Sequence, residues 1–374
     1  MSTVARFLQI HLLTAYGPAN LNRDDLGQPK TAMLGNAQRL RISSQSLKRS
    51  WRTSEVFQTA LGDQHLGLRS KRIGERAQRI MVDAGLDAKK AFEWSKLIAQ
   101  AFGKLKDEEK KVGNQVETLV FASADELQAV DALARTLAES LTEPTADQLK
   151  LLRKSNSSAD LALFGRMLTA EKGKAETNDR PQFNVEAAAQ VAHAVTVHRA
   201  TIEDDYFSAV DDLNPSEDTG SGHIGELGFG AGVFYLYACV DRELLVKNLD
   251  GDGALAAKTL RALVECMCTV APTGKQNSFA SRARASFGLA ELSNDQPRQL
   301  IAAFLKPVAD DDQDTIAVAV KRMAELVNRL DAVYDFEGSR FAFNASEQPF
   351  EIKVHPVEQG SLKAFCQFAA SDLE

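Results

Sequence analysis

The pattern of apolar and polar side chains divides the chain into stretches typical of strands and stretches typical of helices. Apolar residues dominate 6–13, which predicts a first strand, and basic and apolar side chains alternate in RLRI, 39–42, which predicts a second short one. A polar loop, 17–38, separates them. Loops of that length inside a compact domain are usually functional or disordered. Ser43 and Ser44 are predicted to cap the helix that follows.

The middle of the chain is predicted to be almost entirely helical. From about residue 57 to 170, apolar residues recur at spacings of three and four, as in AKKAFEWSKLIAQAFGKL and DELQAVDALARTLAESL. The pattern then changes to strands in AVTVHRATI and in VFYLYACV. An amphipathic helix, ALAAKTLRALVECMCTVA, and two short strand candidates, RFAFNAS and EIKVH, follow. This order predicts an α+β protein, in which a sheet domain carries a helical insertion.

Composition limits the class of protein further. The chain has 374 residues and a net charge of −7 at pH 7, so it can form two domains, and a uniformly basic coat for nucleic acid is excluded. No apolar run is long enough for a membrane span, and the N-terminus lacks the features of a signal peptide. The four cysteines have neither disulfide nor metal-ligand spacing. We therefore expect reduced thiols, a cytoplasmic protein and no metal site.

Basic and acidic residues are segregated along the chain. From Leu26 to Ser54 every charged residue is basic, whereas 203–232 holds eight acidic residues and no lysine or arginine. On a helix over 45–54, one face would carry Gln45, Lys48, Arg49 and Arg52, and Leu47 and Trp51 would share the apolar face. A capped helix start with free N–H groups suits a phosphate, and the basic stripe would extend that site along a phosphate backbone. The alternative is the solvated face of a surface helix.

Catalytic motifs receive little support from the sequence. GELGFGAGVF precedes a strand and opens no helix, and TGKQNSF lacks the first glycine and the Ser/Thr of a P-loop, so neither predicts a nucleotide site. A turn that presents Lys275 and Gln276 to a polar ligand remains open. Asp24 and Asp25 could hold Mg²⁺, but adjacent acids in polar loops usually face solvent. The two histidines of VAHAVTVH are expected to be packed rather than catalytic.

Several blocks, spread over the chain, resemble one family. LNRDDLGQPKTAMLGNAQRLRISSQSLKRSWR, ADLALFGRM, VAHAVTVH, DYFSAVDDL, GVFYLYACVD and PTGKQNSF are similar, in the family's order, to the backbone subunit of the type I-E CRISPR interference complex, Cascade (the CasC family). The resemblance implies an RRM-like (ferredoxin-like) palm, a helical fingers insertion and a β-hairpin thumb. It assigns 1–57, 182–199 and 232–374 to the palm, 58–181 to the fingers and 200–231 to the thumb.

The resemblance also implies a function in RNA-guided antiviral defence. Copies of such a subunit form a helical oligomer along one guide RNA, hold its phosphate backbone and leave its bases free to pair with target DNA. The implied partners are the guide RNA, target DNA, further copies of the chain and the large, small, guide-end-capping and guide-processing subunits of Cascade. The implied protein is a scaffold without cofactor or catalytic residues. The residues that match RNA contacts are Arg23, Lys30, Ser43, Gln45, Lys48, Arg49, Arg52, Arg166, Met167, Lys275 and Gln276.

The acidic segment requires a different role, because its carboxylates would repel phosphate. We predict that Asp211 and Asp212, in the thumb, contact the basic surface of the next subunit, a heterologous contact that builds an open helix. Two rival functions remain open. One is a Mg²⁺-dependent ribonuclease that cleaves bound RNA through Asp24 or Asp25. The other is a generic single-strand RNA-binding module, which would read bases with exposed sheet aromatics, whereas VFYLYACV is expected to be buried.

Overall fold

Two compact units make up the chain. The computed structural model describes residues 4–106, 113–154, 157–168, 180–209, 223–309, 314–353, 355 and 357–373. The first unit, here called the sheet unit, consists of Met1–Phe57, Gln190–Val240 and Leu260–Asp372. The second, here called the helical unit, consists of Gln58–Ala189, Asp241–Thr259 and Leu373–Glu374.

Strands and helices alternate irregularly along the described residues. The strands are β1 (Phe7–Ala19), β2 (Thr31–Leu34), β3 (Ala37–Ile42), β4 (Leu68–Ser70), β5 (Val120–Ala122), β6 (Ala189–Val191), β7 (Ala194–Thr196), β8 (Glu203–Ala209), β9 (His223–Asp241), β10 (Ala285–Ser293), β11 (Gly338–Asn344) and β12 (Glu358–Gln359). The helices are α1 (Ser44–Arg52), α2 (Glu55–Leu61), α3 (Ile73–Asp83), α4 (Ala88–Phe102), α5 (Ala124–Ser140), α6 (Ala159–Phe164), α7 (Arg242–Asn248), α8 (Gly253–Thr269), α9 (Gln276–Phe279), α10 (Thr315–Tyr334) and α11 (Leu362–Ala369).

A large, mainly antiparallel sheet forms the centre of the sheet unit. Within the described residues its order is β12-β11-β10-β1-β9-β7-β3-β2, and β6 and β8 also pair with β9. β1 runs antiparallel to β10, with Leu8 opposite Leu292, and β10 runs antiparallel to β11. All residues of β1 from Leu8 to Leu13 are buried, on both faces of the strand, as are Val233 to Val240 of β9. The sheet is therefore covered on both sides at its central strands.

Helix α10 packs on one face of this sheet. Val320, Met323 and Val327, at helical spacing, join Tyr235 and Phe287 in one apolar cluster. Asp314 caps the start of the helix by accepting a hydrogen bond from the Ile316 N–H at 2.9 Å. Each fully buried side chain of this size contributes about 1.5–3 kcal/mol, so the cluster fixes the helix on the sheet.

The sheet unit also buries charged side chains, which no sequence pattern indicated. Arg340 on β11 donates to both carboxylate oxygens of Asp331, at 2.6 and 2.8 Å, and to Glu291 on β10 at 2.7 Å. Arg298 brings a second guanidinium to Glu291, at 2.8 Å. Burial alone would raise the pKa of Glu291, but the hydrogen bond from His11 and the charges of Arg298 and Arg340 lower it overall. The carboxylate of Glu291 is thus kept ionised inside the protein.

His11 on β1 joins the network as a neutral ring. Its Nδ1 lies 2.9 Å from the Tyr235 hydroxyl, and its Nε2 lies 3.2 Å from a Glu291 oxygen. The Tyr235 hydroxyl accepts a hydrogen bond from the Leu300 N–H at 2.9 Å, so its own proton is directed to Nδ1. The proton on Nε2 then goes to Glu291. Burial lowers the pKa of His11, in agreement with the neutral form.

Three amphipathic helices form the core of the helical unit. α3, α4 and α5 contribute apolar residues at the predicted spacings of three and four, among them Ala77, Met81, Trp94, Ile98, Val130 and Leu137. Asp87 caps α4, and Ser123 with Glu126 forms a capping box at the start of α5. Caps of this kind satisfy backbone N–H groups that a helix leaves open at its first turn.

Three of the secondary-structure predictions are wrong. The polar loop predicted over 17–38 contains β2, which pairs with β3, with Thr31 opposite Leu40. The stretch from 57 to 170 is not almost entirely helical, because β4 and β5 form an antiparallel pair within it, with Leu68 opposite Ala122. In EIKVH, none of the described residues is in a strand. The side chain of Asn328 on α10 replaces ladder partners there: it accepts a hydrogen bond from the Lys353 N–H at 2.7 Å and donates to the Glu351 carbonyl at 3.1 Å.

Candidate nucleic-acid interface

Helix α1 has the two faces that its sequence predicts. Leu47 and Trp51 are buried and anchor the helix in the sheet unit. Gln45 and Arg49 are exposed, and Lys48 and Arg52 are half-buried. Arg49 and Arg52 also lie in the last turn, where a positive charge favours the helix dipole, so both have a structural use besides any ligand.

The start of α1 is more fully hydrogen-bonded than the sequence predicts. Ser43 is the N-cap, and its hydroxyl accepts from the Ser46 N–H at 3.3 Å. The Ser44 N–H donates to Nδ1 of His193 at 2.9 Å. The prediction that the helix start offers free N–H groups to a phosphate is therefore wrong for these two groups. Side chains must supply most of the attraction at this end of the helix.

The loop that precedes β2 has a defined conformation. One carboxylate oxygen of Asp24 accepts from the N–H groups of Leu26, at 3.0 Å, and Gln28, at 2.9 Å. The Lys30 N–H donates to the carbonyl of Asn22 at 2.8 Å, and the side chain of Asn22 accepts from the Ser43 N–H at 2.9 Å. Such side-chain-to-backbone bonds are typical of Asn and Asp in turns. They hold Lys30 beside the start of α1.

Arg23 and Lys30 lie at the two ends of this ordered turn. The backbone of Arg23 pairs with that of Pro29, and the side chain of Arg23 is exposed. The Arg41 N–H of β3 donates to the Lys30 carbonyl at 2.7 Å. Asp24, rather than Arg23, is thus the residue whose side chain orders the loop.

His193 shows that positive charge converges at this place. Partial shielding of the ring from water lowers its pKa, and the charges of Arg41 and Lys30 lower it further. Since its Nδ1 accepts a hydrogen bond from Ser44, the ring is an acceptor at that atom. His193 is exposed, so the expectation that it would be packed is not met, although it has a defined structural role.

The turn before α9 lies against the same loop. Gly274 approaches the loop backbone so closely that an added Cβ would lie 2.3 Å from the carbonyl oxygen of Leu21. Lys275 follows with a left-handed backbone, φ 49°, and is exposed; Gln276, half-buried, begins α9. The predicted turn and the predicted loop therefore form one surface of the sheet unit. We call this surface, made of residues 20–30, α1, Arg41, His193 and Lys275–Gln276, the basic face.

One arginine of the basic run does not belong to the basic face. Arg39 is fully buried, and its guanidinium donates to the carbonyls of Thr196, at 3.0 Å, and Phe304, at 2.8 Å. Burial lowers its pKa, with a further contribution from other arginines. The charge that the run presents to a ligand is thus smaller than the six basic residues of 26–54 suggest.

The structure does not support an RNA contact by Arg166. The residue belongs to the helical unit, and its side chain is 2% exposed and forms a 2.6 Å ion pair with the buried Glu126. It also donates to the Phe183 carbonyl at 2.9 Å. A guanidinium committed to these partners is not available to a phosphate. The neighbouring Met167 is 80% exposed, which is compatible with the contact predicted for it.

The predicted thumb is described only at its base. β8 and β9 form an antiparallel ribbon, from Glu203 opposite Phe229 to Ala209 opposite His223. Asp211 and Asp212 lie outside the described residues. Tyr206 in the ribbon is 72% exposed.

Sequence reasoning missed three contributors to the basic face: Asn20, Asn22 and His193. Asn20 and Asn22 could have been identified from the sequence, because they flank Leu21 directly before a turn that contains Asp24 and Gly27. No local signal identifies His193, because its partner Ser44 is distant in sequence.

Two kinds of feature are absent from the described residues. They contain no group of three or more His, Cys, Asp or Glu that could hold a metal ion. Nor do they contain a helix that is both long and apolar enough to cross a membrane.

Comparison with known proteins identifies the family. The sequence matches the family model described as CT1975-like protein over residues 8–367, and the chain belongs to this family. No curated protein matches it. This match confirms the resemblance to a backbone subunit of Cascade, but it does not specify the type I-E subtype.

Solved structures agree with this assignment. One similar chain comes from a "CRISPR RNA-guided surveillance complex, pre-nicking", with 28% identity, a TM-score of 0.85, and coverage of 98% of this chain and 100% of that chain. Another comes from a "CRISPR RNA-guided surveillance complex", with 23% identity, a TM-score of 0.75 and coverage of 98% and 99%. The second comparison concerns the fold alone.

Proposed function

We propose that this chain is a backbone subunit of a type I-E Cascade complex, which polymerises along a guide RNA and holds its phosphate backbone while the bases pair with target DNA. In this proposal the sheet unit supplies an RRM-like palm, the helical unit supplies fingers and the β8–β9 ribbon is the root of a thumb. Other copies and the other Cascade subunits are its partners. The buried cysteines, which are thiols rather than disulfides, fit a cytoplasmic location.

The observation that carries this proposal is the composition of the basic face. Arg23, Lys30, Arg41, Arg49 and Lys275 come from three separate stretches of the chain, and hydrogen bonds of the loop bring them to one side of the sheet unit. A surface of this kind contacts phosphates and positions a strand without reading its sequence. Sequence recognition is then left to base pairing, as an RNA-guided complex requires.

Burial of the aromatic residues in VFYLYACV, the central part of β9, argues against a generic RNA-reading module. Phe234, Tyr235 and Tyr237 of β9 are 2–7% exposed, so they offer no ring faces for stacking bases. Asp24, a candidate for metal-dependent cleavage, already accepts two backbone hydrogen bonds as the organiser of its turn. Both observations favour a scaffold over the rival functions.

A nuclease-protection footprint tests the proposal. The protein is added to a long single-stranded RNA, with Mg²⁺ in one arm and EDTA in the other, and the RNA is then digested. Protection at a constant nucleotide interval in both arms is expected. Cuts at a regular interval that appear only with Mg²⁺, and vanish in Asp24→Ala and Asp25→Ala variants, would replace the scaffold by a ribonuclease. Uniform or absent protection would contradict polymerisation.

A further inference from the structure

Asn20 links two parts of the sheet unit that belong to different predicted functions. The residue is fully buried directly after β1. Its side-chain Nδ2 donates to the carbonyl of Gly27, at 2.9 Å, and to the carbonyl of Gly228, at 2.7 Å. Gly27 belongs to the loop of the basic face, and Gly228 belongs to β9 where β9 pairs with β8. One amide group therefore bonds the loop to the root of the hairpin.

The geometry indicates that an asparagine is needed at position 20, because its side-chain nitrogen donates two hydrogen bonds. Its Oδ1 is buried and has no hydrogen-bond partner among the described residues, which is unfavourable for an acceptor. Turning the amide round would instead place that oxygen against two carbonyl oxygens, so the orientation is determined. Aspartate has the same shape but no donor at neutral pH, and leucine has none at any pH.

Further contacts reinforce this link around Gly228. Gln28 donates from Nε2 to a carboxylate oxygen of Asp204 in β8, at 3.5 Å. An added Cβ at Gly228 would lie 3.0 Å from Cδ of Pro29 and closer still to the side chain of Gln28. The loop thus packs on the hairpin root as well as bonding to it.

We propose that Asn20 is a positioning residue that couples the loop to the hairpin, so that RNA bound at the basic face orders the β8–β9 root. Lys30 and Arg23 lie on the loop, and their engagement with phosphate would restrict its motion. Through Asn20, the same restriction reaches Gly228. Coupling of this kind is reciprocal, so a restrained hairpin also favours the RNA-bound loop. This inference rests on the proposed function for its ligand, although the link itself exists without RNA.

Hydrogen exchange of the full-length protein tests the link first without RNA. In Asn20→Ala, backbone amides of the loop and of 225–230 should both exchange about tenfold faster than in the wild type. Asp24→Ala is the matched variant with the link intact, because Asp24 bonds only within the loop; it should loosen the loop and, through Asn20, also speed exchange of 225–230. Faster exchange of the loop alone in Asp24→Ala would contradict the coupling. Faster exchange of the loop alone in Asn20→Ala would overturn the coupling.

The second arm adds a single-stranded oligouridylate to the same proteins. In the wild type, RNA should slow exchange in the loop and in 225–230; in Asn20→Ala it should slow the loop alone. Equal slowing of 225–230 in both proteins would overturn the proposal. If Asn20→Ala fails to fold, Gln28→Ala, which removes the contact to Asp204, should show a smaller change in the same direction. Absence of any RNA binding by the wild type would contradict the proposed function, while the first arm still decides the coupling.

Discussion

Arg49 and Arg340 belong to the same unit, and the chain uses them in opposite ways. Arg49 is exposed on α1, beside other basic residues. The side chain of Arg340 is 1% exposed, bonds to two carboxylates and lies 3.8 Å from the centre of the Phe336 ring. The side chain of Arg49 contributes little to the packing of the protein and is available to a ligand, whereas the side chain of Arg340 is part of the buried core. Residue type alone does not separate an RNA contact from a core ion pair; partners and burial do.

Truncation of Arg340 should have the largest effect. Arg340→Ala leaves Asp331 and Glu291 buried with fewer cationic partners, and breaking such a pair costs about 3–5 kcal/mol. Denaturant unfolding should show this loss. Arg329→Ala, at an exposed position on the same helix as Asp331, is the control and should change stability by less than about 0.5 kcal/mol. Equal effects of the two variants would remove the distinction between surface and buried arginines.

Arg166→Met should destabilise the helical unit without weakening RNA binding. It leaves Glu126 without its 2.6 Å partner, so we expect a loss of about 3 kcal/mol by denaturant unfolding. RNA affinity, measured at a temperature where the variant is folded, should remain that of the wild type. Met167→Ala is the control for stability and should leave it nearly unchanged. A variant Arg166→Met that is as stable as the wild type but binds RNA more weakly would restore the contact predicted from sequence.

Variants of the α1 stripe should affect binding rather than stability. Lys48→Ala and Arg52→Ala should each reduce the slope of log affinity against log salt by about 0.7, the value for one phosphate contact of a single strand. Stability should change by no more than about 1 kcal/mol, the size of a charge interaction with the helix dipole. Lys363→Ala, an exposed lysine of α11, should leave the slope unchanged. An unchanged slope in the α1 variants would indicate that the basic side chains of α1 form only the solvated face of a surface helix.

The smallest expected effect concerns His193. Its pKa is lowered by partial shielding of the ring from water and by the charges of Arg41 and Lys30, so removing one of these charges in Lys30→Ala should raise the pKa toward its ordinary value of about 6.5. An NMR titration of the imidazole measures this. Because folding favours the neutral ring, its contribution to stability is complete above about pH 6.5 and is lost as the pH falls toward the lowered pKa. An unchanged pKa of His193 in Lys30→Ala would contradict the interpretation that positive charges converge around this ring.

Local patterns predicted the elements of the basic face but not all of its chemistry. The spacing of Leu47 and Trp51 was enough to orient α1, because both positions face the core on a 3.6-residue helix. The alternation in RLRI predicted β3 correctly, yet Arg39 is buried by Thr196 and by Phe304, which are more than 150 residues away. No local rule contains that information.

The same limit applies to the helical unit. The capping box of Ser123 and Glu126 is a local motif, since Ser-x-x-Glu precedes an apolar pattern. That Glu126 would also bind the guanidinium of Arg166, forty positions later, depends on the packed structure. A match to a family's RNA contacts therefore needs a check of burial at each position.

β9 has a consequence for the mechanics of the molecule. From Val233 to Asp241 it contains no glycine and is clamped in the sheet, whereas the part from His223 to Gly232 contains Gly225, Gly228, Gly230 and Gly232. A glycine inside a strand often marks a place where another group approaches the backbone closely. An added Cβ would lie 3.0 Å from Pro29 at Gly228, 2.9 Å from Leu40 at Gly230 and 2.6 Å from His198 at Gly232. One half of β9 is thus held by its own side chains and the other half by neighbours that its missing side chains admit. Alanine at any of these three positions would therefore displace a neighbour instead of stiffening the strand.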